Sequence, residues 1–276
     1  MTTIMKRGMK LRTIAANTFG MFLRDKLLII IGALFICVIL MMMTPLLTLK
    51  ARTAASNIQG MESYVLQLVA AIMSMVSGAG SLLAAWAAAD AVATELKSGT
   101  ILAVMARPVK RWEFLLGKYL GVMTLMAWYV AMTFGLSFIL AWMGGQRIQS
   151  APWVLIAYPM VRYAIYAAIA MAVATVAHPV LTWAFTLLLG VVAGLVVPGD
   201  SEPGKLALQW LKTGLYYLLP STSFLSEDRF LSIKDSALHQ TGLVEHLTTL
   251  VYGVDYALVM LLVAMGLFHY RSLKRD

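Results

Sequence analysis

AVATELKSGTILAVMARPVKRWEFLLGKYLGVM, residues Ala91 to Met123, sets a charged segment punctuated by Gly99 and Pro108 between two long apolar runs. Asp90 and Glu95 close the run before it. Ser98, Gly99 and Thr100 offer a helix cap through a hydroxyl oxygen, ILAVMA supplies an apolar helix body, and Pro108 forbids its continuation. VKRWEFLLGKYLG then restarts a helix, with Lys110, Arg111 and Lys118 at lipid-headgroup depth and Trp112 at the interface, where an amphipathic ring is favoured. The pattern predicts helix, turn and helix at a membrane surface. On residue types alone it reads equally as a basic loop that does no more than fix topology.

The sequence on either side supplies the membrane. With 61% hydrophobic and 13% charged residues among 276, and a mean hydropathy of +0.80, too little polar surface exists to clothe a soluble globule of this size. Apolar runs long enough to cross a hydrocarbon core of about 30 Å recur along the whole length. Working outward from the charged segment, spans are expected over 64–93 and 114–143, then over 27–49, 153–177, 180–197 and 247–268. The expectation is an all-α polytopic membrane protein, one transmembrane domain over 1–276, with about six spans.

Residues 1–26 read as an amphipathic interfacial helix, because Leu11, Ile14, Ala15, Thr18, Phe19 and Phe22 recur at helical spacing beside Lys6, Arg7, Lys10 and Arg12. The run 27–49 is too long for the apolar core of a cleaved signal and reads as a retained first span. SGAGSLLAAWAAADA, in the second span, is rich in Gly, Ala and Ser and favours close packing against other helices. His178-Pro179 breaks the fourth span with a very short loop, and PGDSEPG ends the fifth. The segment 198–246 mixes apolar patches with charges and is expected to hold one or two short interfacial helices outside the membrane.

This topology places 14 of the 22 basic residues on one face, 7 on the other, and Arg162 within a span. The positive-inside rule then puts both termini and the loop 94–113 in the cytoplasm. The formal charge of +9 is absorbed by that asymmetry and does not point to nucleic acid.

Glu95, Gly99-Thr100, Arg107-Pro108, Arg111 and Gly117-Lys118 follow the spacing E-x3-GT-x7-P-x2-R-x5-GK. In this the chain resembles the type 2 ATP-binding-cassette (ABC-2) export permeases, in the loop between their second and third helices. The resemblance extends to Arg24-Asp25-Lys26, to Leu218-Leu219-Pro220 and to the basic tail, and within the family it looks most like the permease of the nitrous oxide reductase maturation transporter. It implies a coupling helix in the cytoplasmic loop that meets a separate ATP-binding subunit carrying ATP and Mg, a second permease chain that is either a copy or a paralogue, and residence in the bacterial inner membrane.

By the same resemblance Glu95, Gly99, Thr100, Arg107, Pro108, Arg111, Gly117 and Lys118 are the coupling residues. Glu95 would meet basic groups of that subunit, while Gly99 and Pro108 would set the angle of the coupling helix. The alternative for Glu95 is a helix-end carboxylate paired with Lys97 or Lys118. A phosphate loop of the form G-x4-GK-[ST] does not occur, and Gly117-Lys118 is followed by Tyr119. The chain is thus read as a transport subunit without a cofactor, not an enzyme. A second functional reading has it pass ATPase-driven motion to a periplasmic partner without moving a cargo.

Arg162 lies about ten residues into the fourth span and Asp255 about eight to ten into the last, at similar depth if each span starts level, so the two are expected to pair. No metal site is expected: Met41, Met42 and Met43 point about 100° apart on a helix, and His178, His239, His246 and His269 are scattered. Neither a G-x-S-x-G elbow nor an HExxH helix is present, so no catalytic residue is assigned.

Overall fold

The computed structural model describes residues 2–26, 61–98, 110–143, 152–195 and 243–270, with the isolated positions 32–33, 36–37 and 40–41. Most of the expected first span, 27–49, lies outside the described residues. So do the middle of the expected coupling loop with Gly99, Thr100, Arg107 and Pro108, the segment 196–242 with Leu218-Leu219-Pro220, and the tail after Tyr270.

The described chain is helical throughout: α1 (Thr2–Arg24), α2 (Met61–Ser98), α3 (Arg111–Met143), α4 (Pro152–Ala174), α5 (Pro179–Leu195) and α6 (Leu243–Tyr270). Four of these contain stretches long and apolar enough to cross a membrane, Ser74–Glu95, Arg111–Leu136, Ile156–Ala174 and His246–Tyr270, while the apolar part of α5, Pro179–Val192, is shorter. Helices are what such sequences must form in lipid, where each backbone amide and carbonyl has to be satisfied within its own segment.

At the centre, α2, α3 and α4 pack on one another; α6 lies along α4, α5 lies against α2 and α4, and α1 runs along α3. Alanine makes α2 the innermost element. Ala84, Ala85, Ala87, Ala88, Ala91 and Val92 are all buried, so α2 meets neighbours on most of its circumference, which only small side chains allow. Higher on the same helix Gly80 admits two aromatic rings. A Cβ there would overlap the Tyr163 hydroxyl from α4 and lie 2.7 Å from Tyr129 Cε1 of α3. The rings meet edge to face with centroids 6.1 Å apart, and the Tyr129 hydroxyl donates to the Val76 carbonyl of α2 at 2.8 Å.

Helix α4 continues through Pro159 and ends at Ala174. Residues 175–178 make the turn to α5. The Val176 and Ala177 amides donate back to the Val173 carbonyl at 2.9 and 2.8 Å, and His178 Nδ1 accepts the Val180 amide at 3.4 Å. Pro179 takes the first helical position, where its missing N–H costs nothing.

Gly80→Val forces methyl groups into the Tyr129–Tyr163 contact. Overpacking of this kind typically costs about 1–3 kcal/mol. The variant is expected to melt at a lower temperature than the native chain in detergent, while Gly78→Val, at a position open on its Cβ side, is expected to leave the midpoint unchanged.

Candidate functional site

Four helices converge where α2 ends and α3 begins, at the two edges of the undescribed segment 99–109. The first turn of α3 is fixed from within. The Lys110 amide donates to Glu113 Oε2 at 3.1 Å, half of a capping box, and Glu113 is buried. This sets Arg111, Phe114 and Lys118 on successive turns of α3.

Lys118 Nζ donates to Glu95 Oε1 of α2 at 2.8 Å, and the pair is buried unequally, with the lysine side chain 3% exposed and the glutamate 18%. Of the two lysines considered for Glu95, the structure has Lys118. The ammonium also sits 5.7 Å from the centre of the Phe114 ring, a distance at which the ring face attracts a cation. Phe114 in turn stacks on Phe268 of α6, at 6.1 Å and 20° between planes. One turn before it, Arg111 Nη1 donates to the carbonyls of His269 at 2.8 Å and Phe268 at 3.4 Å. Those carbonyls belong to the last turn of α6, where the helix has no amide left to offer them and carries partial negative charge. Arg111 thereby ties the end of the last helix to the start of the third.

The fourth contributor is α1. Gly117 and Gly121 lie one turn apart on α3, and a Cβ at the first would come within 2.7 Å of Ile14 Cγ2, at the second within 2.6 Å of Thr18 Cβ and 2.9 Å of the Ala15 carbonyl. The two helices approach as closely as a small-x3-small pair permits. Phe22, further along α1, is fully buried with its ring 6.4 Å from that of Trp86 on α2. The spacing Gly117-x3-Gly121 was a readable signal of this contact, and Lys110-x2-Glu113 of the cap; the bond from Arg111 to α6 carries no sequence signature.

Of the coupling residues drawn from the resemblance, the structure brings Glu95, Arg111, Gly117 and Lys118 together. Gly99, Thr100, Arg107 and Pro108 lie outside the described residues. Glu95, expected to meet basic groups of another subunit, already holds a lysine of its own chain. Asp90 accepts a hydrogen bond from the Thr94 hydroxyl at 2.9 Å.

Arg162 and Asp255 are placed differently from the expected pair. The Tyr158 hydroxyl lies 3.1 Å from His246 Nδ1, which sets residue 158 of α4 level with residue 246 of α6, two helices that pack along each other. Arg162 is then level with Leu250, and Asp255 lies about 7 Å deeper, at 1.5 Å per residue. Arg162 Nη1 donates across to Ser77 Oγ of α2 at 3.1 Å, and Asp255 stands on the exposed face of α6. The two spans start at different heights, which counting from each apolar run did not reveal. Among the described residues no group of three or more His, Cys, Asp or Glu side chains is disposed to hold a metal ion.

The family model for ABC-2 family transporter proteins matches residues 12–273. The chain belongs to the ABC-2 transporter family. No curated protein matches it. Members of this family are the membrane subunits of ABC transporters and not their ATPases, and membership implies an ATP-binding subunit as partner. The site just described thus belongs to an ABC-2 membrane subunit, at one end of its helical bundle.

Removing one member of a buried ion pair strands the other, at a cost of about 3–5 kcal/mol for full burial. Glu95 retains some contact with solvent, so Lys118→Met is expected to fall at the lower end of that range. Glu95→Gln combined with Lys118→Met is expected to recover much of the loss. Thermal unfolding of the two single variants and the double variant in detergent measures this, and additive losses would show that the pair does not couple.

Proposed function

We propose that this chain is the permease of an ABC-2 exporter, acting as one of two membrane chains, identical or paralogous, that alternate between inward-facing and outward-facing states as a separate subunit hydrolyses ATP. The reading sets both termini and the Glu95–Lys118 end of the bundle in the cytoplasm of a bacterial cell, with the membrane being the inner one. The basic residues at this end support the orientation. The likeness of the chain to the nitrous oxide reductase maturation permease supports a place in that branch.

One observation carries the coupling role. The segment 99–109 leaves α2 just after Glu95 and enters α3 just before Arg111, and these flanks are bound to each other by the Glu95–Lys118 pair and to α6 by Arg111. A push delivered to that segment therefore acts on α2, α3 and α6 together, and on α1 through Gly117 and Gly121. Alternation then needs no large rearrangement at the point of contact. The packed helix ends move as a unit, and ATP-dependent contact selects between two arrangements of the bundle.

Purification of the chain with the ATP-binding subunit encoded beside its gene tests this. The native pair is expected to co-purify and, in nanodiscs, to show an ATP-dependent change in distance between spin labels on α3 and α5. Arg111→Gln is expected to retain the ATP-binding subunit and its ATPase activity while reducing the ATP-dependent movement of a label on α6. A chain that purifies with no ATPase, and whose label distances ignore ATP, would sink the proposal.

A further inference from the structure

We infer that α2 and α4 bend at one shared level, residues Val76 to Ser81 of α2 beside Pro159 of α4, so that the ends of these helices farther from Glu95 tilt on the rest of the bundle. The inference rests on the alternation proposed above and names the hinge that absorbs it.

On α2 the segment VSGAGS, residues 76–81, holds two glycines and two serines. Glycine relaxes the backbone, and Gly/Ser pairs are among the few causes of a sharp helix bend. Bending in lipid orphans carbonyls, and only another donor from the protein can satisfy them there. Here the donors are already in place. The Tyr129 hydroxyl of α3 donates to the Val76 carbonyl at 2.8 Å, and the Ser81 hydroxyl donates to the Ser77 carbonyl at 3.2 Å. In the helical ladder these two carbonyls take the amides of Gly80 and Ser81. When those two ladder bonds lengthen, each carbonyl keeps a partner.

Helix α4 is weakened at the same level. Pro159 is the one proline inside a helix among the described residues, and it has no N–H for the Leu155 carbonyl. Helices α2 and α4 pack along each other and, with the single span α3 between them in sequence, cross in the same direction. Tyr163 lies on Gly80 and Arg162 reaches Ser77, so one turn earlier on each helix Pro159 is level with about Val76. Two neighbouring helices thus yield at one depth.

Packing differs on the two sides of that depth. Toward Glu95, α2 is enclosed, with Ala84, Ala85, Ala87, Ala88 and Ala91 all buried. At the level itself two tyrosine rings fill the Gly80 face, while Gly78 is exposed and a Cβ there would meet no atom within 4 Å. Gly78 and Gly80 lie about 200° apart around the helix, so the bend has a pivot on one face and room on the other. A push entering through Glu95, Lys118 and Arg111 is carried by the enclosed part as one body, and the tilt falls at the first turn that can give. Hinges of this kind need only a few residues to take up the change in backbone angles.

The experiment uses the full chain with its ATP-binding subunit in nanodiscs. Cys37 is the single cysteine, so Cys37→Ala gives a background free of thiols. Spin-label distances are read to Val191→Cys on α5 from Gln67→Cys and, separately, from Thr94→Cys, which lie on either side of the hinge. Residue 67 is about 14 Å from Val76 along the helix, so a tilt of about 20° moves it by about 5 Å. On addition of ATP the 67–191 distance is expected to change more than the 94–191 distance. Gly78→Ala stiffens the backbone by adding a methyl group into open space, and Pro159→Ala returns an amide to the Leu155 carbonyl. Each is expected to remove most of the excess movement at residue 67 while ATP hydrolysis by the complex is unchanged. Equal ATP-dependent changes at residues 67 and 94 in the native chain would overturn the hinge and leave the permease standing, as would an excess that both variants preserve undiminished. A complex that hydrolyses ATP with neither distance changing would overturn the hinge and the alternation together.

Discussion

The bond from Lys118 to Glu95 is the contact on which this end of the molecule depends. An ammonium 3% exposed at the edge of an apolar bundle has lost most of its water, and the carboxylate at 2.8 Å together with the Phe114 ring replaces it. Exposed ion pairs contribute about 0–1 kcal/mol, and this pair is not of that kind. Exchange of both members for apolar residues is often neutral, whereas loss of one is not. What the pair confers is therefore geometry more than net stability: it fixes which turn of α3 lies against the end of α2, and so how far apart the ends of the segment 99–109 are held. The Phe114–Phe268 stack and the Arg111 bonds to the α6 carbonyls take their position from that register.

Close approach is the second constraint, and it divides the bundle into two contacts of similar design. Along α3, Gly117 and Gly121 let α1 lie directly on the helix backbone; along α2, Gly80 receives the tyrosines of α3 and α4. Hydrophobic attraction between helices vanishes in lipid, so association there relies on such close packing and on hydrogen bonds. Both devices meet on α3. Of all the helices it is α3 that touches the end of α2, the length of α1, the middle of α4 and the end of α6, and under the proposed coupling role a displacement of its first turn reaches each of them.

The sequence disclosed the helical class and the approximate helices on either side of residues 99–109, because apolar periodicity is a local property; the site residues along α3 came only from the family resemblance. Glu95 with Lys118 was one of two local alternatives. Contacts that join distant segments were not legible. Arg111 to His269 depends on where α6 stops, and any interfacial arginine has the same local pattern. The bond from Arg162 to Ser77 was hidden for a related reason. Depth was counted from the start of each apolar run, but the register of α4 against α6 is set by Tyr158 and His246, and it shifts one charge past the other by more than a helical turn.

That shift separates the fates of the two intramembrane charges. Arg162 reaches inward, where α2 is thin: Ser77 and its small neighbours leave space for a long side chain, and the guanidinium finds a hydroxyl at 3.1 Å. A long cation with several donors can reach across such a seam. Asp255 has a short side chain with no comparable reach, and α4 stands on the other side of its helix. Neutralising one charge with the other would have been the least costly arrangement for a chain with a closed interior. The structure instead commits the arginine to the α2–α4 seam and leaves the aspartate facing outward, so the polarity of the inner seam and that of the outer surface are set independently of each other.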